Sequence, residues 1–152
     1  MSLQSDIAVL RSVKLFDSLD EDALRLLAFG AEHRRFPAGD TVFREAALAD
    51  AGFVVVSGTV VLTQGDANPP KIVGAYGPGT LIGEMALITE TRRPATARAE
   101  TPADLLRVGR THFRRLLEEY PAFAATLEAR LRDRFVQMTR QISAMESRFR
   151  DP

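Results

Sequence analysis

The order of apolar and polar residues divides the chain into a helical start, a β-rich middle and a helical end. Residues 3–31 place apolar side chains at helical spacing, and Gly30 is expected to end this part. Ser18 and Glu21 form a capping-box pattern that predicts where its second helix begins. The predicted apolar face of that helix comprises Ala23, Leu24, Leu26, Leu27 and Phe29.

Between Arg34 and Arg107, short β-rich runs alternate with turns. The predicted strands are residues 41–45, 52–58, 59–64, 71–76, 95–100 and 104–108. The segment GDANPP, Gly65–Pro70, is typical of a hairpin loop. The even spacing of short strands and turns predicts an antiparallel barrel or jelly roll.

The helical pattern returns after Gly109, where Thr111 can cap the next helix and Pro121 suits the first turn of the one that follows. The final helix is predicted from about 122 to 149. Its apolar residues step by four and three, as in a heptad repeat: Leu131, Phe135, Met138, Ile142, Met145 and Phe149. Up to about residue 135 this stripe can pack on the chain's own barrel. Beyond it a second copy of the helix is the expected cover, which predicts a homodimer.

These patterns predict an α+β fold, in which an antiparallel β-roll, or jelly-roll-like barrel, is flanked by N-terminal and C-terminal helices. The predicted boundary separates residues 1–121, the β-roll with its flanking helices, from residues 122–152, the C-terminal helix.

Composition narrows the class of protein. The chain has 152 residues, with Lys+Arg 20 and Asp+Glu 20, and this balance argues against a general nucleic-acid binder. There is no cysteine, no secretory pattern at the start and no apolar run near the roughly 18 residues of a membrane span, so a cytoplasmic protein is expected. His33 and His112 lack metal-ligand spacing, and their basic neighbourhoods, HRR and RTHFRR, are expected to be solvated faces. No catalytic constellation is present, so we expect neither a metal site nor an enzyme.

The chemistry of the chain is concentrated in GTLIGEMALITETRRPATARAE, Gly79–Glu100. Gly79 and Gly83 allow close approach of the backbone, and a short helix can begin near Glu84. Helix N–H groups facing Arg93 could bind a phosphate, while Glu84 could accept a hydrogen bond from a sugar hydroxyl. The alternative is a surface ion pair between Glu84 and Arg93, which would contribute only about 0–1 kcal/mol.

The order of these residues resembles a known motif. IGEMALITETRRPATARA, residues 82–99 and hereafter the cassette, is similar to the phosphate-binding cassette of cyclic nucleotide-binding domains, a glycine-glutamate-hydrophobic-Ala-Leu run followed by Arg-x-Ala-Thr/Ser. LFDSLDEDAL resembles the family's entry helix, FPAGDTVFRE and GFVVVSGTVVL its early strands, and LLRVGRTHFRRLLEEYP its last strand and following helix. The resemblance covers most of the chain and implies this β-roll fold, with a short helix inside the cassette.

The resemblance also implies roles for individual residues. Glu84 would accept the ribose hydroxyl, Met85 and Ala86 would offer backbone N–H groups to the cyclic phosphate, and Arg93 would bind that phosphate. Arg92 would point to solvent. The C-terminal helix would fold over the base as a lid, with Arg134, or alternatively Phe135 or Met138, against it. The implied ligand-binding residues are Ile82, Gly83, Glu84, Met85, Ala86, Arg93, Pro94, Ala95, Thr96 and Arg134.

Three residues or segments depart from the family pattern. Ile82 stands where the family usually has an aromatic residue. Glu45–Gly52 replaces a glycine-containing loop, and we expect this change to affect a turn away from the site. Pro94 replaces a residue whose N–H, and often hydroxyl, faces the phosphate, so one hydrogen bond would be missing.

The implied function is a sensor for cyclic AMP, with cyclic GMP as the other candidate ligand, that signals through its C-terminal helix to an effector protein. A helix-turn-helix, as family transcription factors carry, is not expected within 152 residues. The alternative is a protein-interaction module on the same fold, with a cassette that has lost its ligand.

Overall fold

A computed structural model describes residues 2–133 of the chain. Two compact units meet in the sequence between Leu116 and Leu117. No helix in this described range combines the length and apolar character needed to cross a bilayer. The predicted lid and dimer positions lie outside the described residues: Arg134, Phe135, Met138, Ile142, Met145 and Phe149.

The N-terminal part is helical, as predicted. Helix α1 spans Leu3–Ser12 and helix α2 spans Glu21–Phe29, with a short 3-10 helix at Lys14–Phe16 between them. Gly30 caps the end of α2, as expected.

The predicted cap of α2 at Ser18 is wrong. Asp20 is the cap, and its Oδ1 accepts a hydrogen bond from the Ala23 N–H at 2.9 Å. Aspartate is as good a cap as serine and adds a favourable negative charge at the helix start. This start also brings Leu19 and Leu24, both buried, to the two positions of a hydrophobic staple.

The apolar face of α2 is narrower than predicted. Ala23, Leu24 and Leu27 are fully buried, whereas Phe29 is 82% exposed. Phe29 is the last residue of the helix and lies off the buried stripe, so an apolar side chain at the end of the pattern does not mark the core.

The middle of the chain forms two four-stranded antiparallel sheets and a two-stranded ribbon. The strands are β1 Glu32–Phe36, β2 Thr41–Phe43, β3 Leu48–Ala49, β4 Ala51–Ser57, β5 Val60–Gln64, β6 Lys71–Tyr76, β7 Leu81–Ile82, β8 Thr91–Arg92, β9 Thr96–Ala99 and β10 Ala103–Gly109. Their orders in the sheets are β1-β10-β4-β7, β2-β9-β5-β6 and β3-β8. The predicted α+β fold and antiparallel β-roll are confirmed, but among the described residues the sheets do not close into a barrel.

All six predicted strands are present, as β2, β4, β5, β6, β9 and β10. Gln64 of β5 pairs with Lys71 of β6, so the GDANPP segment is the predicted hairpin loop. The core between the sheets comprises Phe53, Val55, Val60, Ile82, Ala97, Ala99, Ala103 and Leu105.

Helix α3, Arg110–Glu119, follows β10 directly. Thr111 lies inside this helix, so the prediction that Thr111 caps it is wrong. The Arg110 N–H donates to the carbonyl oxygen of Asp50 at 2.8 Å, which satisfies the first donor of the helix without a capping side chain. Phe113 of α3 packs against Phe16, with ring centroids 6.1 Å apart. Residues 121–133 are helical, with Pro121 in the first turn as predicted.

Candidate functional site

The cassette begins with a turn that favours glycine. Strand β7 ends at Ile82, Gly83 has a φ of 80°, and a 3-10 helix, hereafter the cassette helix, spans Glu84–Leu87. A Cβ at Gly83 would lie 2.5 Å from Nη1 of Arg93 and 3.6 Å from the carbonyl oxygen of Ala51. The left-handed backbone therefore favours glycine, and any side chain at this position would also have to displace the Arg93 guanidinium.

Arg93 lies on the other side of this turn and is buried, with 5% of its surface exposed. Its Nη2 donates to the Ala51 carbonyl oxygen at 2.7 Å. The guanidinium carbon lies 4.2 Å from the ring centroid of Phe43 and 5.7 Å from that of Phe53. The cation is thus held by one carbonyl and two aromatic faces.

The second terminal nitrogen of Arg93, Nη1, is buried and has no hydrogen-bond partner within residues 2–133. Burial lowers the pKa of Arg93 from its ordinary value, an effect that the nearby Asp50 carboxylate opposes. Arginine keeps its positive charge even when its pKa is lowered. A buried donor of this kind costs about 1–3 kcal/mol of stability until it gains a hydrogen-bond acceptor.

The loop Glu45–Gly52 contacts Arg93. The expectation that this loop affects only a turn away from the site is therefore wrong. The Ala46 N–H donates to the Arg93 carbonyl oxygen, and the Arg93 N–H donates to the Ala47 carbonyl oxygen, both at 2.8 Å. The ribbon β3-β8 continues this pairing, with Leu48 opposite Arg92. The loop therefore fixes the backbone of the residue whose side chain is buried.

The altered composition of this loop has a local cost. Ala46 has a φ of 70°, and no other non-glycine residue in the described range has a positive φ. This conformation costs an L-residue roughly 1–2 kcal/mol relative to glycine. Alanine thus occupies a backbone position that favours glycine, and its N–H is one of those bonded to Arg93.

Side chains from three segments hold the start of β9. Pro94 is exposed, and its carbonyl oxygen accepts from Gln64 Nε2 at 2.8 Å. Thr96 Oγ1 accepts from the Glu45 N–H at 2.9 Å, and the Glu45 carboxylate accepts from the Gly65 N–H at 3.0 Å. Ala95 is buried between Pro94 and Thr96.

The structure thus brings together Gly83 and Arg93, with Pro94–Thr96 beside them in the chain. Ile82 is buried in the core, Glu84 is half-buried at the start of the cassette helix, and Met85 is 50% exposed. The Ala86 N–H donates to the Gly83 carbonyl oxygen at 3.1 Å. The role of the Ala86 N–H as a donor to a phosphate stays a prediction. This role requires the Ala86 N–H to share its bond with Gly83 or to exchange it for a bond to the phosphate.

Arg110 contacts the cassette, so the prediction that RTHFRR is a solvated face is wrong for this residue. Its Nη1 lies 3.0 Å from the Ala49 carbonyl oxygen, 3.3 Å from that of Ala86 and 3.0 Å from that of Thr89. The only sequence signal is an arginine directly after the last strand. His112 is also engaged, with Nε2 3.2 Å from the Leu27 carbonyl oxygen.

The basic run HRR is likewise not a purely solvated face. His33 Nε2 lies 3.0 Å from an Asp6 carboxylate oxygen, and Nδ1 lies 3.5 Å from an Asp104 carboxylate oxygen. His33 therefore joins α1 to β10 through β1, which is a structural role far along the chain from the cassette.

Known proteins share this fold and this segment. The family described as the cyclic nucleotide-binding domain matches residues 33–120. The chain is 31% identical over 116 residues to "Lysophospholipase nte1" of Aspergillus fumigatus, a match that covers 76% of this chain but only 8% of that relative's length.

Two solved structures extend the comparison. The "Cyclic nucleotide-binding-like protein" of Brucella abortus is 42% identical with a TM-score of 0.68, covering 74% of this chain and 97% of that one. The regulatory domain of Toxoplasma gondii PKA, in a co-crystal structure with cAMP, is 27% identical with a TM-score of 0.70, covering 75% of this chain and 44% of that one. Together with the fold and the cassette geometry, these matches show that the chain belongs to the cyclic nucleotide-binding domain family.

Proposed function

We propose that this domain binds a cyclic nucleotide in its cassette and that Arg93 carries the cyclic phosphate. The observation that supports this proposal is the buried Nη1 of Arg93, which has no hydrogen-bond partner among the described residues and lies beside Gly83. A phosphate oxygen is the acceptor that suits a guanidinium best, because the bond is charge-assisted. Met85 and Ala86 supply further N–H donors, and Pro94 supplies none.

The carboxylate of Glu84 selects the sugar. An anion beside a phosphate site would repel the phosphate, but it can accept a hydrogen bond from a ribose 2′-hydroxyl. Glu84 directly follows Gly83, so the turn that admits the phosphate also sets the position of this carboxylate. Ile82, Ala95 and Thr96 keep the two ends of the cassette in place through core packing and the Thr96 hydrogen bond.

The ligand that we propose is cyclic AMP. The similar regulatory domain of Toxoplasma gondii PKA forms a co-crystal with cAMP, which supports this choice by similarity. Pro94 has no hydroxyl with which to favour guanine, so cyclic AMP should bind at least as tightly as cyclic GMP. A clear preference for cyclic GMP in competition binding would contradict this base assignment.

We also propose how binding is read out. Residues 122–152 act as a helical lid, with Arg134 against the base, and form the homodimer contact; an effector protein responds to the position of this helix. The ligand acts because the domain binds it more tightly when the helix is in one position than when it is in the other. The role is regulatory rather than enzymatic, and a cytoplasmic location is consistent with the lack of cysteine.

A second candidate is a protein-interaction module that binds no nucleotide. Two observations favour it: Pro94 removes a phosphate donor, and Arg93 already has a carbonyl and an aromatic partner without ligand. A thermal shift separates the two candidates, because a ligand at 100 times its Kd stabilises the folded state by about 2.7 kcal/mol. Cyclic AMP should raise the melting temperature, whereas 5′-AMP, which lacks the cyclic phosphate, serves as the control. No shift at millimolar cyclic AMP would favour the interaction module.

A further inference from the structure

Two phenylalanine rings connect the two ends of the cassette. Phe53 of β4 lies opposite Ile82, the first residue of the cassette, and Phe43 of β2 lies opposite Ala97, near its end. The ring centroids are 5.9 Å apart, with an angle of 37° between the ring planes. Strands β2 and β4 belong to different sheets, so this aromatic pair is a contact between the sheets as well as between the ends of the cassette.

The guanidinium of Arg93 lies against this aromatic pair and closer to Phe43. Its central carbon is 4.2 Å from the ring centroid of Phe43 and 5.7 Å from that of Phe53. The nearby carboxylate of Asp50 is bonded to another arginine, because its Oδ2 lies 3.2 Å from Nη2 of Arg107. Within residues 2–133, aromatic faces and one carbonyl oxygen therefore hold this buried cation in place of an ion pair.

This way of holding the cation keeps its donors available. A ring attracts a guanidinium through the ring face and accepts no conventional hydrogen bond from its N–H groups. A carboxylate would instead accept those N–H groups in a bidentate pair and would compete with a phosphate for them. Nη1 of Arg93 is the donor that remains, since it is buried and has no hydrogen-bond partner in the described part of the chain.

We propose that Phe43 is a positioning residue for Arg93, an inference that rests on the proposed nucleotide site. The face of its ring, rather than its volume, orients the guanidinium so that Nη1 is ready for the cyclic phosphate before the ligand arrives. Without this ring, the side chain would keep only its bond to the Ala51 carbonyl oxygen and the more distant ring of Phe53. The binding orientation would then be populated for a smaller fraction of the time, and the apparent Kd rises in inverse proportion to that fraction.

The free protein tests the positioning without any ligand, by NMR of the full chain. Protons above a ring face are shielded, so the side-chain proton signals of Arg93 should be displaced upfield in the wild type, and its Nε–H should have a high order parameter. Phe43→Leu keeps an apolar side chain but removes the ring, and it should abolish most of this displacement and lower the order parameter. Phe43→Tyr retains the ring face and should preserve both. Phe36→Leu is the matched control, because Phe36 is also a partly buried ring packed against the same core, and it should leave the Arg93 signals unchanged.

Titration calorimetry with cyclic AMP then tests whether this positioning sets the affinity. Phe43→Leu should bind about three- to tenfold more weakly than the wild type, whereas Phe43→Tyr and Phe36→Leu should bind within about twofold of it. Phe43→Met, which is also apolar and close in volume, provides the same comparison if the leucine variant does not fold.

The two measurements separate the positioning from the proposed function. Arg93 signals that are not displaced in the wild type, or are equally displaced in Phe43→Leu, would overturn the positioning. Cyclic-AMP affinities that are equal in the wild type and Phe43→Leu would do the same, and so would an equal loss in Phe36→Leu, which would show that core packing and not the ring face is responsible. If cyclic AMP does not bind the wild type while the Arg93 signals still depend on Phe43, the proposed function fails and the positioning of Arg93 stands.

Discussion

Replacing Arg93 by leucine should separate ligand affinity from stability. The side chain that we assign to the phosphate is also the buried charge of the cassette, so its loss affects both properties. Arg93→Leu removes every donor of the guanidinium while keeping an apolar side chain between Phe43 and Phe53. We expect a large loss of cyclic-AMP affinity and a small change in the stability of the free domain.

The contacts of Arg93 give the size of each effect. A charge-assisted bond to phosphate contributes about 1.5–3 kcal/mol, which corresponds to a Kd roughly 10- to 150-fold weaker when it is lost. In the free protein, the substitution loses the hydrogen bond to Ala51 and the cation–π contact with Phe43. It also removes Nη1, which has no hydrogen-bond partner among residues 2–133 and whose burial costs about 1–3 kcal/mol. Because these terms oppose each other, the free energy of unfolding should change by less than about 2 kcal/mol.

The assay is titration calorimetry with cyclic AMP, together with a melting curve of each free protein. Arg92→Leu is the matched control, because Arg92 is the adjacent arginine and is exposed, and its Nη1 donates to the Ala46 carbonyl oxygen at 2.9 Å. It should bind cyclic AMP within about twofold of wild type, since an exposed hydrogen bond contributes only about 0.5–1.5 kcal/mol, here to the loop and not to the ligand. Equal affinities for wild type and Arg93→Leu would refute the assignment of Arg93 to the phosphate.

Three further predictions concern neighbouring features. Pro94→Ser adds an N–H and a hydroxyl near the phosphate, so cyclic AMP should bind several-fold tighter while the free protein melts slightly lower, by up to about 1 kcal/mol of stability; unchanged or weaker binding in calorimetry would mean that Pro94 does not limit the site. Ala46→Gly relieves a positive φ and should raise the melting temperature, whereas Ala47→Gly, next to it, should lower it by about 0.5–1 kcal/mol of stability; equal shifts in thermal melts would contradict the strain argument. Ile142→Asp interrupts the predicted heptad stripe and should convert a dimer to a monomer by light scattering, and a wild-type monomer at high concentration would rule the dimer out.

The strands that could be predicted are those whose side chains report their surroundings. Strand β4 is buried along most of its length, and its residues are apolar or glycine up to Ser57 at its end. Strand β1, Glu32–Phe36, is also part of the first sheet, but its charged side chains are mostly exposed on an edge strand, so no apolar pattern marks it. The two-residue strands β3, β7 and β8 are too short to carry any pattern.

The site was predictable only where its residues are close in sequence. Gly83, Glu84 and Arg93 could be found from their order within the cassette. The stack of Arg93 on Phe43 and its backbone bonds to Ala46 and Ala47 join segments far apart in the chain, and spacing contains no information about them. Arg110 was missed for the same reason, because an arginine after a strand is most often solvated and only the fold shows the carbonyl groups around it.

The local costs of this site favour a ligand-binding role over an interaction module. Ala46 in a left-handed conformation costs roughly 1–2 kcal/mol. The buried Nη1 of Arg93, which is unpaired within the part of the chain that the structure describes, costs about 1–3 kcal/mol. The two features are bonded to each other through the backbone of Arg93, so the strained loop holds the unpaired donor in place. Against a typical stability of about 5–15 kcal/mol, costs of this size are substantial. A module that binds no anion gains nothing from either feature, whereas a phosphate oxygen would pair the donor and find it already oriented.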